Sequence, residues 1–328
     1  MRRFCLYLLI CFTLSACGSM QQAGTVDNAY TVEAVYAKLL PQYPHLEIAS
    51  RAIPSDVVRL AGLDYVQYGR RALQLDLYLP VLANAEPGPA IVMVHGGGWR
   101  TGDRSHFTAL ATGLAQRGYV VASISYRLSP EARYPAAIHD VKAAIRWVRT
   151  HAATYGVDPG QIAVLGASAG GQMASLAGVT NHMQKFDMVD LQTAGQISSE
   201  VQAVINIDGL SDFSSEEARR YEDDPARQPS SAGAWFGGRY AEKPALWHEA
   251  SPITHVNKQM APVLFILGSQ RRYSLGWDVM VDKMNAIGIT SRVIRFNDAP
   301  HNFWLFEPWV SPTIAATDTF LKDIFQRR

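Results

Sequence analysis

A serine flanked by glycines lies where a short apolar segment meets a helical pattern. The segment at 166–170 reads Gly-Ala-Ser-Ala-Gly, with Ser168 at its centre. It follows an apolar run at 162–165 that predicts a strand, and it precedes a predicted helix at 172–177. A serine at such a sharp turn projects its hydroxyl out of the sheet, and the helix N-terminus behind it favours developing negative charge. We therefore predict that Ser168 is a nucleophile.

Three consecutive glycines follow another predicted strand, at 90–94. In the sequence His95-Gly96-Gly97-Gly98-Trp99 the glycines allow backbone N–H groups to face a cavity without side chains in the way, which is the geometry of an oxyanion hole. The loop does not fit a nucleotide site, because no Gly-Lys-Ser/Thr follows and Thr101 stands where G-x-G-x-x-G needs its third glycine. We interpret His95 as a hydrogen-bonding residue of this loop and not as a catalyst.

A histidine follows the last predicted strand and precedes the last predicted helix. In serine hydrolases with a strand–turn–helix nucleophile, the histidine comes last in the chain, which is where His301 lies. We therefore predict that His301 is the base that takes the proton of Ser168. Five other histidines fall in helical or irregular sequence and are predicted to lie at the surface or in a lid: His139, His151, His182, His248 and His255.

The apolar segments that must position these residues alternate with helical patterns. Two opening strands are predicted at 64–68 and 73–79, with antiparallel pairing as one option. Six strands without polar alternation, as expected when both faces are covered, are predicted at 90–94, 120–125, 162–165, 201–207, 263–267 and 292–296. Helices are predicted at 31–40, around 138–148, at 278–286 and at 313–325. The pattern predicts an α/β fold with a mostly parallel eight-stranded sheet and helices on both faces.

The first seventeen residues predict export. Two arginines precede an almost wholly apolar stretch at 4–14, which is too short to span a bilayer and is typical of a secretory signal. The sequence Leu14-Ser15-Ala16-Cys17 resembles the bacterial lipobox, in which the cysteine is lipidated; an ordinary signal peptide with a chance cysteine is the alternative. Gly18 after Cys17 suggests sorting to the outer membrane. We predict an exported, lipid-anchored protein.

The domain organisation follows from these segments. Residues 1–17 are predicted to be a lipoprotein signal peptide cleaved before Cys17, residues 18–50 a tether with a short helix, and residues 51–328 the catalytic domain. Within that domain, residues 209–252 break the strand–helix pattern and predict a small lid-like excursion. All three cysteines lie at or before Cys17, so no disulfide is expected.

Charge and composition exclude several classes of partner. The formal net charge is +1 and no basic stripe is present, so a nucleic-acid partner is not expected. No His/Cys cluster has the spacing of metal ligands, and no organic cofactor is implied. The expected partners are an ester substrate and, through the N-terminal lipid only, a membrane.

Several longer motifs resemble those of one enzyme superfamily. They are His95–Asp103, Tyr126–Pro130, Tyr134–Ala137, Gly166–Gly171, Ala250–His255 and Pro300-His301. Over most of the chain after Cys17, the sequence resembles the exported acetyl and feruloyl carbohydrate esterases of the α/β-hydrolase superfamily, close to the hormone-sensitive-lipase-like group. The resemblance implies the α/β-hydrolase fold and serine-dependent removal of acetyl or other short acyl groups from carbohydrate. It also implies that the N–H groups of Gly97, Gly98 and Ala169 bind the oxyanion.

The sequence departs from this resemblance at the residue that should orient the histidine. Such esterases usually read Gly-x-x-Asp after the seventh strand, whereas this chain reads Gly268-Ser269-Gln270-Arg271. Three carboxylates remain as candidates for the acid. We favour Asp208, at the end of the 201–207 strand, over Asp278, which starts a predicted helix and has capping as its alternative role. Asp298 is the least favoured, since it is predicted to lie on a loop surface.

Aromatic residues cluster after His301 and within the excursion. Core packing is the favoured interpretation, and an apolar wall for a sugar ring or an aromatic acyl group is the alternative. The six residues are Trp304, Phe306, Trp309, Trp235, Phe236 and Trp247.

Other functions fit parts of the sequence. A general short-chain carboxylesterase of small-molecule esters would use the same residues. Peptide or amide hydrolysis is disfavoured because no large gating domain is present. A non-catalytic surface lipoprotein that binds glycans is kept open by Arg271, which cannot orient a histidine.

Overall fold

The computed structural model describes residues 30–81, 86–187, 197–227 and 229–326. The predicted signal peptide, Cys17 and the first part of the tether lie outside these ranges. The strands are β1 (Glu47–Ile48), β2 (Val57–Tyr68), β3 (Arg71–Pro80), β4 (Gly88–Val94), β5 (Val120–Ile124), β6 (Val157–Ala167), β7 (Ala203–Ile207), β8 (Val263–Leu267), β9 (Ser291–Arg295) and β10 (Phe306–Glu307). The longer helices are α1 (Val32–Leu39), α2 (Thr108–Ala115), α3 (Ala136–Thr150), α5 (Ala169–Val179), α9 (Trp277–Ala286) and α10 (Val310–Phe325); the shorter ones are α4 (Ala152–Tyr155), α6 (Glu216–Glu222), α7 (Ser231–Phe236) and α8 (Pro244–Glu249).

One eight-stranded sheet forms the centre of the fold. Its order is β2-β3-β5-β4-β6-β7-β8-β9, with β3 antiparallel to both of its neighbours and all pairs from β5 to β9 parallel. This is the α/β-hydrolase fold, and the predicted eight-stranded, mostly parallel sheet is confirmed. Because the strands from β4 to β8 are parallel, their carboxyl ends meet at one edge, where loops from β4, β6, β7 and β8 come together.

Helices cover both faces of the sheet. On one face α3 and α5 pack with Ile138, Val141 and Met173 into a core that includes the 0% exposed strand residue Val164. On the other face α2 and α10 pack against the opposite side chains of the same strands, such as Leu165. Alternate residues of one strand thus belong to two different cores, which explains why these strands lack polar alternation.

The first strand of the sheet begins earlier than its sequence pattern predicts. Strand β2 starts at Val57 instead of Asp64, and its pairing with β3 is shifted between Leu60 and Leu63 and again between Asp64 and Val66. These bulges break the alternation of apolar and polar side chains. The strand also lies at the edge of the sheet and is only partly buried, so it lacks the apolar run that marks the central strands.

The segment at 209–252 connects β7 to β8 and contains three short helices, α6, α7 and α8. Their buried aromatic residues Trp235, Phe236 and Trp247 join the core around α3 and α5, while Trp304, Phe306 and Trp309 join the core around α10. The favoured core interpretation of these six aromatic residues is therefore confirmed.

One surface assignment is wrong. His139 is only 7% exposed, because it lies on the side of α3 that packs inward, and burial lowers the pKa of its imidazole. The other four histidines predicted at the surface or in the lid are partly or fully exposed.

The N-terminal residues of the described chain pack on the domain. Helix α1 forms as predicted, with Thr31 as its cap and Val32 and Val35 buried. Strand β1 pairs antiparallel with β10, next to the last helix. The division at residue 50 between tether and catalytic domain stays a prediction. In the ranges that the structure describes, no helix combines the length and apolar character needed to cross a bilayer.

Candidate active site

The turn between β6 and α5 holds Ser168 in a backbone conformation that few residues adopt. Ser168 has φ 54° and ψ −121°, and its N–H donates to the carbonyl of Ile207 at 2.8 Å. A non-glycine residue with positive φ is strained and is retained where the surrounding structure fixes it. This backbone conformation projects the Ser168 hydroxyl beyond the carboxyl edge of the sheet.

The glycines beside Ser168 are required by close backbone approach. A Cβ atom on Gly166 would lie 2.0 Å from the carbonyl oxygen of Gly170, and one on Gly170 would lie 1.8 Å from that of Val94. Any side chain at these positions would push α5 away from β4 and β6. The two glycines thus allow the helix to start directly behind Ser168.

His301 lies between Ser168 and Asp208. Its Nε2 is 2.9 Å from the Ser168 hydroxyl oxygen, and its Nδ1 is 2.9 Å from Oδ2 of Asp208. Because an ionised carboxylate only accepts hydrogen bonds, Nδ1 carries the proton that faces Asp208. Nε2 is then the acceptor that faces the serine hydroxyl, as a general base requires.

Asp208 follows β7 directly and is fully buried. Its backbone has φ 49°, a conformation that aspartate tolerates better than most residues. Its Oδ1 accepts from the Gly268 N–H at 3.0 Å, while Oδ2 accepts from His301. Both carboxylate oxygens therefore have a donor, as a buried charge requires. The contact expected between Asp208 and His301, within 2.6–3.2 Å, is present.

The other two carboxylates point elsewhere. Arg271 begins a 3₁₀ turn, Arg271–Tyr273, and its exposed guanidinium donates to Asp278 at 3.2 Å and to Glu217 at 3.3 Å. Asp278 is thus held on Arg271 and not on His301. Asp298 is exposed and accepts from the indole N–H of Trp309 at 3.3 Å. The guanidinium of Arg271 faces solvent, so it is not aimed at the imidazole.

The glycine loop after β4 leaves two backbone donors free. Gly97 has φ 117°, and a Cβ atom there would lie 2.2 Å from the carbonyl oxygen of Thr101, which makes glycine necessary. In the part of the chain that the structure describes, neither Gly97 nor Gly98 donates its N–H to another residue. Both line the same cavity as Ala169, at the start of α5. The geometry fits an oxyanion hole, in which these N–H groups donate to a ligand oxygen.

His95 forms a hydrogen bond with the backbone of this loop. Its Nδ1–H donates to the carbonyl of Gly96 at 2.8 Å, and its ring stacks on Tyr126 with centroids 4.3 Å apart. Burial lowers the pKa of His95 to about 4, so the ring is neutral near pH 7. The sequence interpretation of His95 as a hydrogen-bonding residue of the loop is confirmed.

Two aromatic residues enclose the ring of His301. Tyr273 stacks on it with ring centroids 3.4 Å apart and planes 9° apart, and Trp304 forms a T-shaped pair with it, with ring centroids 5.1 Å apart. The guanidinium carbon of Arg272 lies 4.3 Å from the centroid of the Tyr273 ring, and Arg272 donates to the tyrosine hydroxyl at 2.7 Å. Sequence reasoning missed Tyr273. Its position two residues after the usual acid site was the available signal.

A cavity of about 500 Å³ opens above Ser168. Its wall combines the catalytic candidates with polar and charged side chains from the excursion and from the N-terminal segment. Tyr30 reaches this wall, and its hydroxyl accepts from Asn302 at 2.8 Å. The other lining residues beyond the oxyanion loop include Leu210, Tyr221, Glu222, Arg227, Ser230, Ser231, Arg272 and Tyr273. None of the six aromatic residues considered above lines the cavity.

Residues 75–273 match the sequence model of a known family, BD-FAE. The chain belongs to the BD-FAE family. The matched range contains Ser168, Asp208 and the glycine loop, and it ends before His301.

Individual relatives agree with the BD-FAE assignment. The "Probable carboxylic ester hydrolase LipM" of Mycobacterium tuberculosis is 30% identical over 254 residues, which cover 75% of this chain and 54% of the relative. A truncated carbohydrate esterase from gut microbiota shares the fold with TM-score 0.68 and 24% identity, covering 84% of this chain and 100% of that chain. The propionate-bound esterase Est2 of the Planctomycetes species Thermogutta terrifontis has TM-score 0.66 and 25% identity, covering 83% of this chain and 96% of its own. The chain spans about half the length of the curated relatives it matches.

Proposed function

We propose that this protein is a serine carboxylic-ester hydrolase with Ser168 as nucleophile. The observation that carries the proposal is the unbroken chain of contacts from Ser168 through His301 to the buried Asp208, with both distances 2.9 Å. An enzyme of this type needs a nucleophile, a base in the correct tautomer and a buried acid that holds the base. Free N–H groups beside the serine complete the arrangement.

The proposed reaction proceeds through an acyl-enzyme. The Ser168 oxygen attacks the ester carbonyl carbon while Nε2 of His301 takes the hydroxyl proton. The N–H groups of Gly97, Gly98 and Ala169 bind the negative oxygen that forms, and Asp208 stabilises the imidazolium. His301 then gives its proton to the leaving alcohol. Water attacks the acyl group by the same route, releases the acid and restores Ser168.

The test is hydrolysis of p-nitrophenyl acetate by the wild type and by Ser168→Ala. The variant should lose essentially all turnover above background, while its melting temperature stays close to that of the wild type. Turnover at the wild-type rate in Ser168→Ala would remove the serine from the mechanism. An inactive wild type would favour the glycan-binding alternative instead.

For the substrate we propose acetyl or other short acyl esters of carbohydrate. The polar cavity wall supports a hydroxyl-bearing alcohol, and the propionate-bound state of the Thermogutta esterase supports a short acyl group. A chain-length series of p-nitrophenyl esters should peak at two to four carbons, because each misfit methylene changes discrimination by about 1–3 kcal/mol. A maximum at long chains would indicate a lipase. General hydrolysis of small-molecule esters is the second candidate, and the carboxylic-ester-hydrolase relative from Mycobacterium tuberculosis favours it.

We also propose that Cys17 carries lipid and anchors the protein to a membrane. The basis is the lipobox-like sequence at 14–17. The native protein should fractionate with membranes and dissolve only in detergent, whereas Cys17→Ser should not be lipidated. Wild-type protein recovered from the soluble fraction with an unmodified N-terminus would refute the anchor.

A further inference from the structure

Glu222 is a carboxylate on the wall of the cavity that contains Ser168. It is the last residue of α6, and its backbone carbonyl accepts from the hydroxyl of Ser230, the cap of α7. This bond joins the ends of the two short helices and fixes the backbone at Glu222. The backbone that carries the Glu222 side chain is therefore fixed by a hydrogen bond between two helices.

The Glu222 side chain differs from the carboxylates near it on the chain. Glu216 pairs with Arg220, Glu217 with Arg271, and Asp223 with Arg239. In the ranges covered by the structure, the side chain of Glu222 forms no hydrogen bond and no ion pair. It is a strong acceptor that the protein itself leaves unused.

The surroundings of Glu222 favour a neutral, hydrogen-bonding ligand. Burial raises the pKa of Glu222 to about 7, although the nearby guanidinium groups of Arg272 and Arg227 act to lower it. A half-buried carboxyl without a partner costs free energy, and a ligand that donates hydrogen bonds would recover that cost.

The same wall carries further polar groups. The hydroxyl of Ser231 lies next to the oxyanion loop, since a Cβ atom on Gly98 would be 3.1 Å from it. Ser230, Tyr221 and Arg272 line the cavity as well. A ligand that fills the cavity above Ser168 therefore meets hydrogen-bond donors and acceptors besides Glu222.

We propose that Glu222 is a specificity-determining residue that accepts hydrogen bonds from free hydroxyl groups of the alcohol part of the ester. The inference rests on the proposed esterase function. It assigns the polyhydroxylated part of the substrate to the side of the cavity formed by α6 and α7, which is lined by Tyr221, Glu222, Ser230 and Ser231. Neighbouring hydroxyls of a sugar can donate together to the ionised form of this carboxyl, the form that the guanidinium groups of Arg272 and Arg227 favour. Such charge-assisted bonds are among the stronger ones in proteins.

The test compares Glu222→Leu and Glu222→Gln with the wild type on three substrates. These are a methyl glycoside with one acetyl group and free neighbouring hydroxyls, its peracetylated form, and p-nitrophenyl acetate. In Glu222→Leu, kcat/KM for the mono-acetylated glycoside relative to p-nitrophenyl acetate should fall about 10- to 100-fold, since a hydrogen bond to a charged group contributes about 1.5–3 kcal/mol. The ratio for the peracetylated glycoside should fall far less, and Glu222→Gln should show a smaller loss.

Glu217→Gln is the matched control, because Glu217 lies on the same helix, is exposed and pairs with Arg271 outside the cavity. Its substrate ratio should equal that of the wild type. An equal loss of Glu222→Leu on all three substrates, or no change in the ratio, would overturn the assignment. So would a wild type that cleaves p-nitrophenyl acetate but not the mono-acetylated glycoside. A wild type inactive on p-nitrophenyl acetate would instead remove the esterase function on which the inference rests.

Discussion

The ends of β7 and β8 lie side by side, since Ile207 pairs with Ile266, yet they contribute to the site in opposite ways. Asp208, directly after β7, is the buried carboxylate that contacts His301. The end of β8, where the resemblance places an aspartate, provides a backbone N–H to Asp208 from Gly268 and the aromatic cover of Tyr273. A buried carboxylate beside the histidine can therefore follow either of two adjacent strands, β7 in this chain and β8 in the esterases that the sequence resembles.

The largest effect should come from Asp208→Asn. An amide cannot replace the acceptor that holds the Nδ1 proton of His301, and the equivalent change in the best-studied serine triad lowers kcat about 10⁴-fold. Turnover of p-nitrophenyl acetate should fall by a similar order. Asp278→Asn is the control and should change kcat by less than about twofold, because Asp278 is held by Arg271. The reverse ranking of these two variants would assign the acid to the region after β8.

A smaller loss is expected from Gly268→Ala. A Cβ atom at Gly268 would lie 3.0 Å from Oδ2 of Asp208 and 3.3 Å from the Ala299 carbonyl oxygen. The carboxylate must then move by a few tenths of an ångström, and we expect kcat to fall about tenfold, since such small misplacements are costly in catalysis. Gly160→Ala, at an exposed site, is the matched control. Wild-type kcat in Gly268→Ala would show that Asp208 does not depend on the end of β8.

Tyr273 stacks on the ring of His301, and its removal should have a modest effect. Tyr273→Leu should lower kcat about 2- to 10-fold, the range expected from losing one aromatic pair. Tyr273→Phe keeps the stack and should restore most of the rate. Equal losses in both variants would attribute the effect to the hydroxyl that accepts from Arg272.

The smallest effects should come from Arg271. Its ion pairs are exposed, so Arg271→Gln should lower the free energy of unfolding by less than about 1 kcal/mol, measured by urea denaturation. Adding Arg271→Asp to Asp208→Asn should not restore turnover, because position 271 lies in a turn whose side chain faces Glu217 and Asp278. Recovery of turnover in the double variant would show that β8 can still supply the acid.

The central strands, the nucleophile turn and the last-loop histidine were predictable, because each depends on local sequence. Apolar runs, glycines at close backbone contacts and a position after the last strand are all visible in one segment at a time. Among the candidate acids, the sequence could only favour Asp208 over Asp278. Which of them contacts His301 depends on where the side chains of Arg271 and Asp278 point in the folded chain. Asp208 contacts His301 from a backbone conformation with positive φ, and no sequence pattern predicts that conformation.

Two features were beyond the reach of that reasoning. The stacking of Tyr273 on His301 could not be predicted, because it depends on how the turn after β8 folds against the loop that carries the histidine. Glu222 was missed because an unpaired carboxylate is recognisable only after its neighbours have found their own partners. Both depend on contacts between segments that are distant in the chain.

The bond between Tyr30 and Asn302 ties the start of the described chain to the residue next to His301. If Cys17 is lipidated as proposed, the stretch from Cys17 to Tyr30 is a leash whose fully extended length is at most about 45 Å. The active site would then stay within a thin layer next to the bilayer, in every orientation of the domain. Under that proposal the enzyme would act on esters that reach the membrane to which it is anchored.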